Sequence, residues 1–499
     1  MHFPVPQLSD ALFKPQHADK LFIGNRWVEP ASGERLCIVS PVSEEVVGQV
    51  PAAVIADVDR AVIAARKGFD EGAWPRMSVA ERSVVLRKFA AELLARNDAL
   101  AYLWTLEAGV SNMFASRVSE NNAQVIEHYV QELEKLNAVE VRERAAGGYA
   151  LVTQEPVGVV AAVVPWNAPV FLAMIKIAAA LAAGCTVIVK PAPETPLDAY
   201  IMAEAAEAAG FPEGTLSIVA AERDASNHLI SHPGVDKVTF TGSTVTGKHI
   251  MAACADRMAR VTLELGGKSA AIILDDISVE DCIPGIVGQF FNNACQACVT
   301  LSRILVPRAR MAEFEEAFAQ AFSKVKIGDP YDPATQMGAL AMKRQFDKVN
   351  DYIRIGQEEG ATLVTGGKRP DWLDRGYFIE PTLLSNANNS MRIAREEIFG
   401  PVLVMIPYDS VDEAIDIAND SDYGLHGALF TNDLDRAFEL ARRLRTGNVG
   451  LKECTMDLSM PFGGWKSSGI GREGGQEGLK SFFEEKTIFL PEVPAAVEA

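Results

Sequence analysis

The stretch "KVTFTGSTVTGKHI", residues 237–250, carries the pattern that decides the fold. An apolar strand leads into a glycine-containing turn, and a helical pattern begins at about Ser243. Such a turn directs backbone N–H groups and the positive end of a helix dipole towards one point, where they can hold a diphosphate. An ordinary strand-to-helix turn that binds nothing explains the pattern equally well.

The same turn nearly matches a mononucleotide-binding P-loop, because Gly242 is followed by Gly247 and Lys248 at the spacing of that motif. A P-loop requires Ser or Thr at the next position to bind magnesium. His249 stands there instead. The near match therefore does not predict a true P-loop.

Short apolar runs separated by helical stretches continue on both sides of this unit. Those before it include "GVVAAVVPWN", "CTVIVKPAP" and "GTLSIVAA", and those after about residue 267 include "SAAIILDD", "SRILVPR", "ATLVTGG", "PVLVMIPY" and "HGALFT". Strands that alternate with helices form parallel sheets with helices on both faces. The sequence therefore predicts an α/β fold with two successive sheets.

Three other segments have patterns of their own. Residues 20–41 predict a β-hairpin whose turn is "EPASG". Residues 56–136 carry apolar residues three and four apart, which is the spacing of helices. Residues 138–155 alternate with a period of two around a Gly-Gly turn, which predicts an antiparallel ribbon with one polar face.

The bulk composition limits the classes of partner and compartment. The net charge is −19, and an acidic surface repels phosphate backbones, so we expect no nucleic-acid partner. The most apolar helical stretch carries Lys176 and is shorter than the ~20 apolar residues of a membrane span, so we expect no membrane insertion. The first residues lack the pattern of a signal peptide and the cysteines are scattered, which favours the cytoplasm.

Two polar residues that accompany apolar runs could take part in chemistry. Glu264, in "VTLELGGKS", could have a raised pKa and act as a general base, or it could pair with a buried cation. Asn167, in "VVPWNAP", could donate an amide N–H to an oxyanion, or it could cap the helix that starts after Pro169. The residues taken alone favour the structural alternative in both cases.

Cys295 and Cys298 lie three residues apart in "NNACQACVT". A structural zinc site needs about four Cys or His ligands, and no second Cys-x-x-Cys pair is present. The segment with His228 and His232 lacks the glutamate of a His-Glu-x-x-His motif, so we expect no metal site. A thioredoxin-like redox pair and a nucleophilic cysteine both remain as interpretations, and the second requires a base and an oxyanion donor.

Seven motifs taken together resemble the aldehyde dehydrogenase superfamily, in one continuous order from about residue 20 to residue 490. They are "PWN" (165–167), "KPAPETP" (190–196), "FTGSTVTG" (240–247), "LELGGKS" (263–269), "FNNACQAC" (291–298), "EEIFGPV" (396–402) and "PFGGWKSSGIGRE" (461–473). The resemblance implies an atypical Rossmann-like cofactor domain without a Gly-x-Gly-x-x-Gly motif, a second α/β catalytic domain and a small β oligomerisation element.

The resemblance also implies domain boundaries. The cofactor-binding domain would comprise residues 20–137 and 156–266, the catalytic domain residues 267–478, and the oligomerisation arm residues 138–155 and 479–499. Strands of this arm complete a neighbouring subunit's sheet in the family, so the resemblance implies a homodimer or homotetramer.

The reaction implied is the oxidation of an aldehyde to its carboxylic acid with NAD(P)+. Cys298 would be the nucleophile, passing through a thiohemiacetal and a thioester, while Asn167 and the Cys298 backbone N–H would hold the oxyanion. Glu264 would activate the hydrolytic water. Acylating members that use coenzyme A generally lack this base, so hydrolysis is expected. Some relatives are binding or structural proteins without turnover, and the intact catalytic residues argue against that class here.

The family's cofactor contacts map onto seven residues of this chain. They are Trp166, Lys190, Gly242, Ser243, Gln345, Glu397 and Phe399. NAD is expected as the cofactor. NADP is possible because Pro193 replaces the glutamate that commonly bridges the ribose hydroxyls, although the motif contains no arginine that would favour NADP.

Two further positions depart from the family pattern. The segment "IVAAERDAS" lacks the glycine usual beside the diphosphate. Cys295 stands where the family has a glycine before Gln296. We expect this second thiol to be an incidental neighbour of the nucleophile, with a redox partner as the alternative.

The family's substrate-tunnel positions fall on uncharged residues. They are Ala168, Leu172, Ile175, Ala297, Val299, Met456 and Phe462. An uncharged, medium-sized or bulky hydrophobic aldehyde is therefore expected, and a semialdehyde or betaine-aldehyde-type substrate is the alternative. The same residues could also simply belong to the core.

Overall fold

The computed structural model describes residues 3–136 and 138–495, and of Gln289 and Asn292 it describes the backbone alone. Residue 137 of the predicted cofactor-binding domain and residues 496–499 of the predicted oligomerisation arm lie outside the described residues.

The described residues form helices and strands throughout. The helices are α1 (Ile55–Asp70), α2 (Val79–Ala95), α3 (Asn97–Ala108), α4 (Asn112–Ala115), α5 (Val118–Lys135), α6 (Pro169–Ala183), α7 (Leu197–Ala209), α8 (Arg223–Ser231), α9 (Thr244–Ala255), α10 (Val279–Phe290), α11 (Met311–Ser323), α12 (Lys343–Glu358), α13 (Arg392–Arg395), α14 (Val411–Asn419), α15 (Leu434–Ala441) and α16 (Gly475–Lys480). The strands are β1 (Leu21–Ile23), β2 (Arg26–Val28), β3 (Arg35–Val39), β4 (Val46–Pro51), β5 (Val139–Glu143), β6 (Tyr149–Pro156), β7 (Val159–Val163), β8 (Thr186–Lys190), β9 (Leu216–Ile218), β10 (Lys237–Thr241), β11 (Arg260–Glu264), β12 (Ala270–Ile273), β13 (Arg303–Pro307), β14 (Thr362–Thr365), β15 (Thr382–Ser385), β16 (Val402–Tyr408), β17 (Tyr423–Gly424), β18 (His426–Phe430), β19 (Asn448–Leu451), β20 (Trp465–Lys466), β21 (Gly469–Ile470) and β22 (Phe483–Leu490).

The first sheet has the strand order β2-β1-β9-β8-β7-β10-β11-β21. Its central strands run parallel to one another, and β7, β8 and β10 are buried at every position. Continuous apolar runs are what a parallel sheet covered on both faces requires. At its edge β21 pairs antiparallel with β11 and places Gly469 opposite Glu264, so a segment from late in the chain returns to the first sheet.

The second sheet has the order β14-β15-β16-β13-β12-β18-β19. All of its neighbouring strands are parallel except the β14–β15 pair. Separate groups of buried apolar side chains pack on the two sheets. These features confirm the α/β class, while the predicted domain boundaries remain a prediction.

The predicted ribbon is present as a three-stranded sheet with the order β22-β6-β5. Gly147 and Gly148 form its turn with φ of 88° and 78°, in the region that glycine adopts without a steric penalty. None of the helices in the described part of the chain combines the length and apolarity that a membrane span requires.

The predicted hairpin over residues 20–41 is wrong. Strand β1 instead turns into β2 through Gly24 and Asn25, and β3 pairs with β4. Gly24 and Asn25 have φ of 61° and 68°, and positive φ at both central residues suits a two-residue hairpin. The "EPASG" segment links the two strand pairs. The two-residue turn at Gly24 and Asn25 therefore determines which strands pair.

Candidate active site

A cleft of about 880 Å³ opens at the carboxyl ends of β7, β8 and β10. Ligands of open α/β sheets bind at this end of the strands. The predicted residues that line it are Trp166, Asn167, Leu172, Lys190, Gly242, Ser243, Cys298, Gln345, Glu397 and Phe399. The structure thus brings all seven predicted cofactor residues together with two of the predicted catalytic residues. Glu264 is not in the wall of the cleft, but the two residues that follow it are.

The floor of the cleft includes the turn between β10 and α9. Ser243 is the N-cap of α9, and its Oγ accepts the Thr246 N–H at 3.3 Å. Gly242 donates its N–H to the Glu264 carbonyl at 3.0 Å. A Cβ at Gly242 would lie 2.3 Å from the Phe240 ring, so this position accepts no side chain. The amino end of α9 therefore faces the cleft with its dipole and N–H groups.

Lys190 ends β8 and lies in the wall with only 8% of its surface exposed. Burial lowers the pKa of its ammonium to about 8, against the attraction of Glu194 and Glu222. A buried cation without full solvation favours a polar ligand. Arg344 and Glu194 form an ion pair at 2.6 Å in the same wall, beside Pro193. This ion pair was not predicted from the sequence.

The opposite wall holds Glu397 and Phe399. Glu397 Oε1 accepts the Gly267 N–H at 3.0 Å, and burial raises the pKa of this carboxyl. Phe399 has a φ of 62° and stands edge-on to Trp166, with ring centroids 5.4 Å apart. Gln345 Nε2 donates to the carbonyls of Phe399, at 2.6 Å, and of the preceding residue, at 2.9 Å. These two hydrogen bonds hold an unfavourable backbone conformation in place.

Cys298 is half-buried in the cleft. Burial raises the pKa of its thiol to about 12, and the carboxylates of Glu397 and Glu264 add to the effect. The resting group is therefore a thiol at neutral pH, and nucleophilic attack requires removal of its proton.

Asn167 is 7% exposed and precedes α6. The helix-capping alternative is wrong, because Ala168 is the N-cap and no side chain caps this helix. The Asn167 Nδ2 donates to the Gln296 carbonyl at 2.8 Å. The main-chain carbonyl of Asn167 accepts hydrogen bonds from Trp104 Nε1 at 3.2 Å and from Asn293 Nδ2 at 2.6 Å. These contacts fix the amide against the loop that carries the candidate nucleophile.

Glu264 ends β11 with 3% of its surface exposed, and neither carboxylate oxygen has a hydrogen-bond partner among the described residues. Burial raises its pKa well above the ordinary value, and the charge of Glu473 raises it further, while Lys176 and Arg472 oppose. The buried cation does not pair with Glu264, since Lys176 forms its ion pair with Glu473. A raised pKa and free oxygens are what a general base requires.

The Lys176–Glu473 ion pair was not identified from the sequence. Both side chains are buried, and the pair lies close enough to Glu264 to shift its pKa in opposite directions. A single lysine within the apolar pattern of α6 was the available signal, because a buried lysine needs a buried partner.

Cys295 differs from Cys298 in its backbone conformation, its burial and the cavity that it lines. Its φ is 60°, which explains why a glycine suits this position, and it is 1% exposed with Sγ against the Phe290 carbonyl. It lines a separate small cavity, whereas Cys298 lines the cleft, and both thiols are free. The redox-partner alternative remains an untested prediction.

Two of the predicted tunnel residues line the cleft or the cavity beside it. Leu172 lines the cleft and Ala297 lines the small cavity beside it. The others pack in or against the cores: Ala168, Ile175, Val299, Met456 and Phe462. The substrate tunnel therefore stays a prediction.

Within the described ranges one group of possible metal ligands converges, Asp59 with His228 and His232. The Asp59 Oδ1 lies 2.6 Å and 3.5 Å from the two Nε2 atoms. His232 Nδ1 accepts the Gly234 N–H at 3.0 Å, so in the neutral ring the proton sits on Nε2 and blocks it as a ligand. The group is better explained as two neighbouring histidines beside one carboxylate, with His228 hydrogen-bonded to Asp59.

Comparison with known proteins identifies extensive similarity. The family model described as "Aldehyde dehydrogenase family" matches residues 27–488. A geranial dehydrogenase from Castellaniella defragrans is 44% identical over 471 residues, which cover 94% of this chain and 98% of that protein.

Two solved structures extend the similarity to three dimensions. An aldehyde dehydrogenase from Mycobacterium tuberculosis complexed with NAD+ matches with a TM-score of 0.92 and 43% identity, over 95% of this chain and 98% of that chain. A mutant of aldehyde dehydrogenase C from Pseudomonas syringae complexed with NAD+ and octanal matches with a TM-score of 0.92 and 38% identity, over 96% of this chain and 98% of that chain.

Proposed function

The chain belongs to the aldehyde dehydrogenase family, and we propose that it oxidises an uncharged, medium-sized or bulky hydrophobic aldehyde to the carboxylic acid, with NAD as the hydride acceptor. The observation that carries the proposal is that Cys298, Asn167 and all seven predicted cofactor residues line one cleft.

The choice of substrate rests on chemistry and on relatives. The predicted tunnel positions carry no charged side chain, so they offer no counter-charge to a distal carboxylate. One relative is a geranial dehydrogenase, and one similar structure holds octanal; both aldehydes are uncharged and apolar. The tunnel positions therefore favour a hydrophobic aldehyde over a semialdehyde, and betaine aldehyde is the alternative that the substrate panel distinguishes.

NAD fits the residues present. A cleft of about 880 Å³ lies in the size range of ligand sites. Lys190 would hold the ribose hydroxyls, Ser243 and the amino end of α9 the diphosphate, and Glu397 with Phe399 the nicotinamide side. When bound, this cofactor would accept the hydride that leaves the substrate.

The chain's own residues carry the covalent steps. The Cys298 thiol loses its proton to water in the cleft, and the thiolate attacks the aldehyde carbon, whose carbonyl oxygen becomes the oxyanion of a thiohemiacetal. Loss of the hydride from that carbon leaves a thioester on Cys298. One Asn167 N–H is engaged with the Gln296 carbonyl, and the second is available to the oxyanion together with the Cys298 backbone N–H. Because Asn167 is fixed to the nucleophile loop, this donor is positioned before the substrate arrives.

Glu264 acts on the thioester. In its ionised form the carboxylate removes a proton from a water molecule, which attacks the acyl carbon, releases the acid and returns Cys298. Leu265 and Gly266, which directly follow Glu264, line the cleft, and water would reach the buried carboxylate from that side.

The assembly we propose is a cytoplasmic homodimer or homotetramer. The outer strands β5 and β22 of the ribbon expose Val141, Ile488 and Phe489. Exposed apolar side chains on open edge strands are suited to pairing with another chain. All seven cysteines are free, which suits a reducing compartment.

The test is aldehyde oxidation by wild type and Cys298→Ala, followed as reduced cofactor with octanal, geranial, betaine aldehyde and succinic semialdehyde, each with NAD and with NADP. Wild type should favour the first two aldehydes and NAD. Cys298→Ala should lose activity by on the order of 10⁴-fold or more, yet bind NAD as tightly in calorimetry.

The matched control is Cys37→Ala, because Cys37 is an exposed free cysteine far along the chain from the cleft. It should behave as wild type. Turnover retained by Cys298→Ala would refute the assigned nucleophile, and a preference for betaine aldehyde or the semialdehyde would refute the proposed substrate class.

A further inference from the structure

A second cavity, separate from the cleft, lies beside β12 and β18 of the second sheet. Its volume is about 20 Å³, enough for one small ion or a water molecule. None of the described residues that line it also lines the cleft.

The charge of this cavity is one-sided. Lys268, Arg303 and Arg445 line it, and the described lining residues include no carboxylate. Lys268 and Arg303 are each only 2% exposed. Buried cations in proteins are normally compensated by a partner of opposite charge.

Several polar groups around the cavity have no hydrogen-bond partner among the described residues. They are Lys268 Nζ, Ser269 Oγ, both ring nitrogens of His426 and Thr446 Oγ1. Buried polar side-chain atoms in native proteins are nearly always hydrogen-bonded. Four neighbouring side chains that each carry a free donor, around one cavity, indicate a common ligand.

The two buried cations of this cavity, Lys268 and Arg303, differ in their hydrogen bonds. The Arg303 guanidinium donates to the carbonyls of Lys268, Ile417 and Ala418 and to Asn389 Oδ1. It contributes charge without needing another acceptor, whereas the Lys268 ammonium has no hydrogen-bond acceptor among the residues that the structure describes.

The carboxylates that act on Lys268 are engaged elsewhere. Burial and Arg303 lower the pKa of Lys268 to about 7, against the attraction of Glu397 and Glu396. Glu397 accepts the Gly267 N–H, and Glu396 pairs with Arg392 at 2.9 Å. Neither supplies the missing hydrogen bond.

We propose that this cavity binds a small monovalent inorganic anion of about the size of chloride, held by the Lys268 ammonium, the hydroxyls of Ser269 and Thr446 and a ring N–H of His426. The site would fix the segment that follows Gly267, whose N–H holds Glu397 in the wall of the cleft.

The test compares sodium chloride with sodium gluconate at equal sodium concentration, because gluconate is too large for the cavity. Chloride should raise the apparent midpoint of thermal unfolding of the wild type by about 2 °C, since a ligand that binds only the folded state stabilises it. The protein should also broaden the ³⁵Cl NMR line, and bromide should reverse the broadening by competition.

Two variants locate the site. Lys268→Met should abolish both the chloride-dependent shift and the excess line width. Thr446→Val retains the charge and the side-chain volume but removes one hydroxyl, and it should weaken chloride binding several-fold while folding normally. It keeps the proposal testable if Lys268→Met fails to fold.

Lys237→Met is the matched control. Lys237 is another buried lysine, but its Nζ donates to Thr262 Oγ1 and to the Ser481 carbonyl at 2.9 Å each, outside the cavity. This variant should lose stability equally in both salts and keep the chloride-dependent shift. Equal midpoints of the wild type in the two salts without excess ³⁵Cl broadening, or a chloride response that is undiminished in Thr446→Val, would overturn the proposal.

Discussion

Two buried glutamates, Glu264 and Glu107, have raised pKa values, and each lies near a second buried carboxyl in different surroundings. Glu264 lies near Glu473 beside the cleft, and Glu107 lies near Asp198 where α3 meets α7. In each, burial raises the pKa of the first carboxyl most, and the neighbouring carboxylate adds to it. A buried cation, Lys176, forms an ion pair with Glu473 of the first pair. The second pair is stabilised by backbone N–H groups instead, such as that of Leu197, which donates to Glu107 at 2.9 Å.

The comparison shows that a raised pKa alone does not identify a catalytic base. The charge of Glu264 acts on the thiol of Cys298, so the two groups are electrostatically coupled. The groups that act on Glu107 are Asp198 and two backbone N–H groups, and no nucleophile is among them. Proximity to a reactive group in a cleft is what turns a shifted carboxyl into a functional candidate.

Glu264→Gln, which removes one carboxylate of the first pair, should have the largest effect on turnover. The amide cannot accept the proton of water, so steady-state turnover should fall by about 10²–10⁴-fold. Because hydride transfer precedes hydrolysis, rapid mixing should show a burst of reduced cofactor with an amplitude near one per active site.

Glu107→Gln is the control for that experiment, since it removes a carboxyl of the same kind away from the cleft. It should retain wild-type turnover. Normal steady turnover in Glu264→Gln would show that another group activates the water, and an equal loss in both variants would show that the effect is structural.

The sequence was sufficient for the parts of the fold that depend on local patterns. The continuous apolar runs of β7, β8 and β10 and the spacing in α1 to α5 predicted those elements. Strands β15 and β19 were not predicted, because four-residue segments such as "TLLS" and "NVGL" carry too few residues to reveal a period. Their pairing is decided by neighbouring strands.

In the site, too, local motifs were informative and long-range contacts were not predicted. The motifs predicted the cofactor residues, which lie together in one cleft. The partner of Lys176 could not be read from the sequence, because Glu473 lies almost three hundred residues away and long-range contacts such as the β11–β21 pairing return that segment to the first sheet. Long-range pairs of buried charges leave no local pattern.

Glu473→Gln should shift the pH dependence of turnover and change its maximum less than Glu264→Gln does. The negative charge of Glu473 raises the pKa of Glu264, and its loss also leaves the Lys176 ammonium unpaired. Both changes lower the pKa of Glu264. If the ionised carboxylate acts as the base, as proposed, the rising limb of the kcat–pH profile should move to lower pH.

Lys176→Met should move the same limb in the opposite direction, because the cation lowers the pKa of Glu264. Glu477→Gln, which alters an exposed carboxylate four residues from Glu473, should leave the profile unchanged. Shifts of the two buried variants in the same direction would contradict the electrostatic explanation and indicate a general loss of packing.

Glu107→Gln should have the smallest effect, which concerns stability alone. The folded-state pKa of Glu107 is raised, so folding takes up a proton at any pH above the ordinary carboxyl value of about 4.3 and below the folded value. In that window, titration of this one group lowers the free energy of unfolding of the wild type by about 1.4 kcal/mol for each unit of pH increase.

Glutamine resembles the protonated acid and does not titrate. The urea midpoint of the variant should therefore rise relative to that of the wild type as the pH increases above the ordinary carboxyl value of about 4.3. The exposed-site variant Glu120→Gln should show no such trend. A difference between Glu107→Gln and wild type that is independent of pH would mean that Glu107 is ionised in the folded protein, and the resemblance between the two acidic pairs would then be lost.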